Sequence, residues 1–345
     1  GGGCRRGAGL KTKAIAGFLQ QWGVLVAFAV LLIFNVISQP DVFLQPEVFK
    51  NLFLQNASVG IIAIGMTLVI IAGGIDLSVG SLMALAGALA VTALNSVMKG
   101  GSSEALAVGA AAAVSVGAGL TLGALNGFLI AYGRLAPFIA TLCGLVAYRS
   151  LCLAIADGGE IRSSSTSVFQ EVMGRGGIPL PFLQDEQGRP LVVTWSILLF
   201  IAVALVFGFI LNRTKFGRYA VAVGSNSRAA FYSGVAINRI KVGTYALLGV
   251  CAGLAALTAS ARMNSVSTSQ MGLYYELDAI AAVVIGGTSL AGGKGRIWGT
   301  FVGVLLLGMI SNMLVASGVS NYWQGFVKGL IILFAVLIQR GQAER

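Results

Sequence analysis

The sequence predicts an all-α integral membrane protein with about ten transmembrane helices and both termini in the cytoplasm. Three observations predict it. Apolar residues make up 57% of the 345 and charged residues only 10%, with a mean hydropathy of +0.88. Water-soluble domains carry about 25% charged residues, so this chain has too few charges to cover a wet surface, and the bilayer is its solvent. The apolar residues also collect into runs near the roughly 20 residues that a helix rising 1.5 Å per residue needs to cross hydrocarbon. Finally, the bases separate from the acids along the chain. With the N-terminus inside and ten crossings, 15 of the 23 bases fall on inner segments, against only Asp76 and Glu344 among the 12 acids. The positive-inside rule then fixes the orientation.

The elements follow in order. Residues 1–20 form a basic cytoplasmic tail holding Arg5, Arg6, Lys11 and Lys13 and no acid. Residues 21–345 form one transmembrane domain. Its first run, 22–37, is flanked by charge and lacks a small-residue cleavage site, so it reads as a retained anchor. A polar, aromatic interface segment, 41–55, comes next. Runs 57–72 and 77–94 are separated by glycines, and run 106–132 carries Gly119, Gly123 and Gly127 at four-residue spacing, a flat face for close helix approach. Run 136–156 leads to a long outer loop, 157–191, rich in Gly, Ser and Pro. Run 191–211 precedes the polar, amphipathic segment 212–241, which has six bases and no acid. Runs 242–261, 277–285, 297–315 and 326–338 complete the set.

The composition excludes several chemistries. There is no His, which removes the commonest general base and metal ligand together. Cys4, Cys143, Cys152 and Cys251 are scattered with no C-x-x-C pair, so neither a zinc site nor a disulfide framework is indicated. The net charge of +11 does not indicate nucleic acid, because the bases lie between apolar spans without interleaved aromatics. The turn ending in Gly292-Gly293-Lys294 is not a phosphate loop: the pattern G-x-x-x-x-G-K-[ST] would need a glycine at Thr288 and a hydroxyl at Gly295. No catalytic residue, cofactor or metal is expected.

Two short stretches interrupt the apolar runs in the same way. Residues 71–78 (IAGGIDLS) align in pattern with residues 284–291 (VIGGTSLA), pairing Gly73-Gly74 with Gly286-Gly287. Glycine-rich, non-helical backbone at membrane depth survives only where protein or a wet cavity covers it. Its recurrence in two halves of a chain points to a transport pathway between structural repeats, against the plainer reading of two tight turns.

These stretches carry a family resemblance. GMTLVI at 65–70 leading into GIDLSVGS at 74–81, and YELDAIAA at 275–282 followed by GGTSLAGGKGR at 286–296, resemble the signature of sugar-importer permeases. The family is the ribose/xylose/arabinose permease group of ATP-binding-cassette importers, related to branched-chain amino-acid permeases, with the ribose branch closest in pattern. The resemblance covers about 22–338. It implies a type II importer fold similar to the vitamin B12 permease and a second permease subunit, either the same chain or a paralogue. Two separate ATP-binding subunits would dock on the cytoplasmic side, and a periplasmic or lipid-anchored sugar-binding protein would deliver substrate.

The resemblance also implies that 226–238 is a coupling helix pressed into the ATPase, with Asn226, Arg228, Ala229, Ala230, Gly234 and Asn238 on it. The family usually places an acid before the Ala-Ala pair; here Arg228 stands there, a reversed charge that would cost affinity unless the partner's groove differs in kind, against the plainer reading of a solvated inside-positive residue. Gly74, Asp76, Ser78, Gly80, Gly286, Gly287, Gly292, Gly293, Lys294 and Arg296 form the motif turns, with Lys294 and Arg296 as inner-face anchors. Asp76 is an intramembrane acid, a functional candidate by default, or a helix cap accepting the N–H of Ser78 or Val79. Thr67, Ser81, Asn126 and Thr288 are the candidate pathway lining. Competing readings are an ion-coupled secondary transporter, disfavoured by spans nearly free of acids and bases, a membrane enzyme, and a permease for another small solute such as a branched-chain amino acid.

Overall fold

The computed structural model describes residues 23–165, 167–184, 188–320, 323–331 and 333. The basic tail, 1–20, and the end of the last expected span lie outside the described residues. Among the described residues, seven helices are long and apolar enough to cross a membrane: α3 (Pro46–Ile71), α4 (Val79–Lys99), α5 (Glu104–Ala131), α6 (Pro137–Ile155), α7 (Trp195–Arg213), α10 (Ile237–Met263) and α12 (Ile297–Ala316). Shorter helices accompany them: α1 (Gly23–Ser38), α2 (Pro40–Phe43), α8 (Lys215–Ser225), α9 (Ser227–Tyr232), α11 (Tyr275–Ile285) and α13 (323–331).

Local chemistry sets several helix starts. Pro46 and Pro137 occupy the first position of α3 and α6, where a missing N–H costs nothing. The Ser103 hydroxyl accepts the Leu106 N–H at the start of α5, as the Thr214 hydroxyl accepts the Gly217 N–H at the start of α8. Because Pro46 initiates α3, that helix begins within the segment expected at the interface, and 46–55 is helical.

The strictly all-α expectation needs correction at the end of the molecule opposite α8 and α9. Strand β1 (Glu160–Arg162) pairs antiparallel with β4 (Ser265–Ser267), and β2 (Gly177–Gln184) pairs with β3 (Pro190–Thr194) as a hairpin. The sixth span therefore starts at Trp195 and not at 191. Pro190 and the β-branched Val192-Val193-Thr194 favour an extended strand, and the partner strand satisfies its backbone. Residues 170–174 form one turn of π-helix.

Helix α3 is the most enclosed, with α10 and α4 beside it, while α5 and α6 leave most of their surface outside the bundle. The tightest crossing is that of α5 with α10. A Cβ on Gly119 or Gly123 would strike the α10 backbone at Gly249 and Tyr245, and one on Gly249 would strike Gly119 and Gly123 in return. Ser115 seals the crossing by donating its hydroxyl to Gly253 O at 2.8 Å. Burying apolar surface drives little helix association in lipid, so close packing of small residues must supply it. Gly249→Leu is expected to separate the two helices, at about 1–3 kcal/mol or more for overpacking. Thermal denaturation in detergent checks this, and a wild-type midpoint would refute the crossing as the main clamp.

Candidate functional site

The two glycine breaks are the same structure. At the end of α3, Gly73 takes φ +82°, its N–H bonds Ile70 O at 2.9 Å, and Gly74 N–H bonds Val69 O at 2.9 Å. At the end of α11, Gly287 takes φ +84°, its N–H bonds Val284 O at 2.9 Å, and Thr288 N–H bonds Val283 O at 3.1 Å. Both are left-handed helix caps that satisfy the last carbonyls, and only glycine enters that conformation without strain. The equivalence pairs Gly73 with Gly287 and Gly74 with Thr288, one residue away from the alignment expected from the Gly-Gly pattern. The cap geometry sets the register, since it needs one left-handed position and not two adjacent glycines.

The breaks touch each other. Gly293 N–H donates to Ile71 O at 2.8 Å, closing the C-terminus of α3 with the loop that follows α11. That loop is held by Ser289 N–H to Lys294 O at 3.0 Å, with Gly292 and Gly293 both at positive φ. A Cβ on Gly292 would lie 3.2 Å from the Cα of both Gly73 and Gly224. Gly224 belongs to α8, so three glycines from three elements meet at one point. Beside them Ala72, Ala220, Val223, Ala230 and Ile240 form a small apolar cluster that seats α8 and α9 under the bundle. Lys294 and Arg296 are exposed at this same end.

The segment expected as one coupling helix over 226–238 is instead the six-residue α9, a turn, and the first turn of α10. Asn226 caps α9 through Oδ1 on the Ala229 N–H at 3.0 Å. Gly234, at φ +78°, ends it, with Val235 N–H on Ala230 O at 3.1 Å. A left-handed residue there breaks the helix, so a continuous one cannot form. Asn226, Ala230 and Gly234 thus build the knob, while Arg228, Ala229 and Asn238 are exposed on its surface. Phe231 and Tyr232, 65% and 86% exposed, also project from it. Sequence reasoning passed over these two; the available signal was a pair of aromatics after Ala-Ala in an otherwise polar, basic segment.

Above the first break lies a buried polar network. Asp76, 1% exposed, accepts the Ser78 N–H at 2.7 Å and the Ser78 hydroxyl at 2.6 Å through Oδ1. Asn126 of α5 donates to Ser78 Oγ at 2.8 Å and approaches Asp76 Oδ2 at 3.4 Å. Tyr148 of α6 donates to Asn126 Oδ1 at 2.8 Å, and Tyr245 of α10 donates to Ile75 O at 3.2 Å. Asp76 therefore closes a turn two residues before the N-cap position, which Ser78 occupies. Asn126 lies about 8 Å along α5 from its Ala131 end, at 1.5 Å per residue. The break thus re-enters the bundle before α4 begins.

The four candidate lining residues are all buried within this one chain. Thr67 shares a 2.7 Å hydrogen bond with Thr300 of α12, Asn126 belongs to the network above, and Ser81 and Thr288 are enclosed. None opens on a solvent-facing surface in this structure. Gly80 and Gly272 approach backbone to backbone, and neither has room for a Cβ. That contact belongs to a second re-entrant stretch, 264–274, held by Arg149 of α6. Arg149 Nη1 donates to Thr268 O and Met271 O, each at 2.9 Å. Arg149 lies inside the run 136–156, and its partners are more than 100 residues away in sequence.

A bundle of long apolar helices, broken twice at glycine caps and carrying a basic amphipathic knob, defines a polytopic membrane protein of the transporter class. Residues 48–336 match the family described as branched-chain amino acid transport system / permease component, and the chain belongs to that family. It is 41% identical to the ribose import permease protein RbsC of Escherichia coli strain K12, over 84% of this chain and 85% of that one. It is 35% identical to the D-allose transport system permease protein AlsC of the same strain, over 84% and 82%, and 32% identical to its xylose transport system permease protein XylH, over 86% and 85%. No solved structure matches the chain.

Proposed function

We propose that this chain is the permease subunit of an ATP-binding-cassette importer that carries a monosaccharide across the bacterial inner membrane. Its relatives are named for ribose, allose and xylose, which supports a monosaccharide as the substrate class and a ribose-like pentose as the first candidate. We read the chain as crossing ten times in the type II arrangement, with α1, α11 and the helix that begins at 323 completing the seven long spans and both termini cytoplasmic. A second permease subunit, two ATP-binding subunits and an external sugar-binding protein complete the machine. Hydrolysis belongs to the ATP-binding partners.

The observation that carries this reading is the seat of the knob. Helix α8 touches both glycine breaks through Gly224, and the breaks are joined by the Gly293–Ile71 hydrogen bond. A push on α9 from an ATPase is delivered at once to the ends of α3 and α11. Arg228, Phe231 and Tyr232 form the docking face. Aromatic anchors of this kind carry about 2 kcal/mol or more each in protein interfaces, so Phe231→Ala with Tyr232→Ala should weaken ATPase capture by at least about 30-fold, the effect of losing one anchor. Both side chains are exposed, so the thermal midpoint of the isolated permease should not move.

The test is co-purification of the chain with its ATP-binding and sugar-binding partners, followed by reconstitution. Uptake of ribose that depends on ATP and binding protein is expected, with no uptake of leucine. Leucine uptake, or uptake driven by an ion gradient without an ATPase, would overturn the reading.

A further inference from the structure

One ion pair at membrane depth has no part in the knob or the breaks. Asp278, in the first turn of α11, lies 3.5 Å from the Lys328 ammonium on α13. Their side chains are 26% and 30% exposed. They border a small cleft completed by Asn56 of α3 and Ser311 of α12 against Val304 and Leu307. As it stands the cleft has room for about one water.

Depth follows from the helices. Asn56 lies about 15 Å from the Pro46 end of α3 and about 23 Å from the Ile71 end, and Ser311 lies about 21 Å along α12 from Ile297. Both positions fall within a hydrocarbon layer about 30 Å thick. Partly open charges at that depth do not face lipid; they face a bundle interior or a water-filled passage. The side chains around the cleft sum to no net charge. They offer a carboxylate acceptor, an ammonium donor, and a carboxamide and hydroxyl that do both. That set suits a neutral solute bearing several hydroxyls and gives no preference to a cation or an anion.

We propose that the cleft between α3, α11, α12 and α13 is a hydroxyl-binding subsite on the wall of the aqueous passage, with Asp278 and Lys328 as its contacting pair and Asn56 and Ser311 beside them. The inference rests on the importer reading above and names where the sugar touches the permease. The pair closes the wall when the cleft is empty. A passing polyol inserts its hydroxyls between carboxylate and ammonium, exchanging one polar partner for another.

The experiment uses the complete reconstituted importer with Cys4→Ser and Cys143→Ser as background, leaving the buried Cys152 and Cys251 in place. Retained ATP-driven ribose uptake by this background tests the importer reading on its own. Ser311→Cys is then added and treated with a charged, membrane-impermeant methanethiosulfonate. Labelling is expected during ATP turnover, slowed at least threefold by saturating ribose with its binding protein. No labelling by the charged reagent, alongside labelling by a lipid-soluble maleimide or by neither, would overturn the subsite while leaving the importer reading intact. Labelling that ribose does not slow would overturn it equally. Asp278→Asn should raise the ribose concentration for half-maximal uptake at least fivefold, and the exchanged pair Asp278→Lys with Lys328→Asp should not restore it. Full restoration by the exchange would make the pair a structural latch only.

Discussion

Gly224→Ala is expected to abolish sugar uptake, lowering it at least tenfold, although the change adds a single methyl group. The new Cβ would run into Ile71 O and come within 2.7 Å of Gly293 N, both backbone atoms that cannot swing aside. Helix α8 must then lift off the two breaks, or the Gly293–Ile71 hydrogen bond must open. Overpacking costs about 1–3 kcal/mol and the lost hydrogen bond about 1 kcal/mol more. Neither is enough to unfold a bundle of this size, so the chain should still insert and still capture its ATPase through α9. ATP hydrolysis should continue without transport. Gly117→Ala is the control, since nothing lies within 4 Å of its added methyl. Normal uptake by Gly224→Ala would remove α8 from the transmission path.

Asp76→Ala should be the most destabilising substitution in the break. It leaves the Ser78 N–H and the Ser78 hydroxyl without their acceptor inside the bundle, and Asn126 Nδ2 keeps only Ser78 Oγ. A buried donor left unpaired costs about 1–3 kcal/mol, so a total loss of about 3 kcal/mol or more is expected. Asp76→Asn keeps the Oδ1 acceptor for Ser78. It places an amide N–H₂ against the Asn126 amide, which cannot turn over because its Oδ1 accepts from Tyr148. A smaller loss, about 1 kcal/mol, is expected there. Thermal midpoints of the purified permease should rank wild type, then Asn, then Ala. Equal midpoints for wild type and Asp76→Ala would show that the network does not hold the break.

Some of the site was legible before any coordinates. Gly119, Gly123 and Gly127 announced a face for close approach because their spacing repeats on a helix; that α10 fills it through Gly249 and Gly253 is a nonlocal fact with no local trace. Both breaks were visible as glycine clusters. Their true equivalence, offset by one residue, depended on which glycine had to be left-handed. Asn226, Ala230 and Gly234 were read as docking residues, yet they cap, pack and end α9, and the exposed aromatics beside them were passed over. Charges at depth were the largest omission. Arg149, Asp278 and Lys328 each look like a tolerable exception within an apolar run, and each acquires its meaning from a partner more than 45 residues away.

What the sequence determined by itself was the solvent, the helical class, the family and the places where helices must stop. Those properties are sums over neighbouring residues: hydropathy along a run, a glycine's freedom at a cap, proline at a first turn. The tertiary structure alone decided that the two stops interlock, that α8 rests on both, and that an acid on α11 and a base on α13 meet. Contacts of that kind depend on distances between segments remote in sequence, and helices packed through small residues leave almost no side-chain pattern from which to infer them.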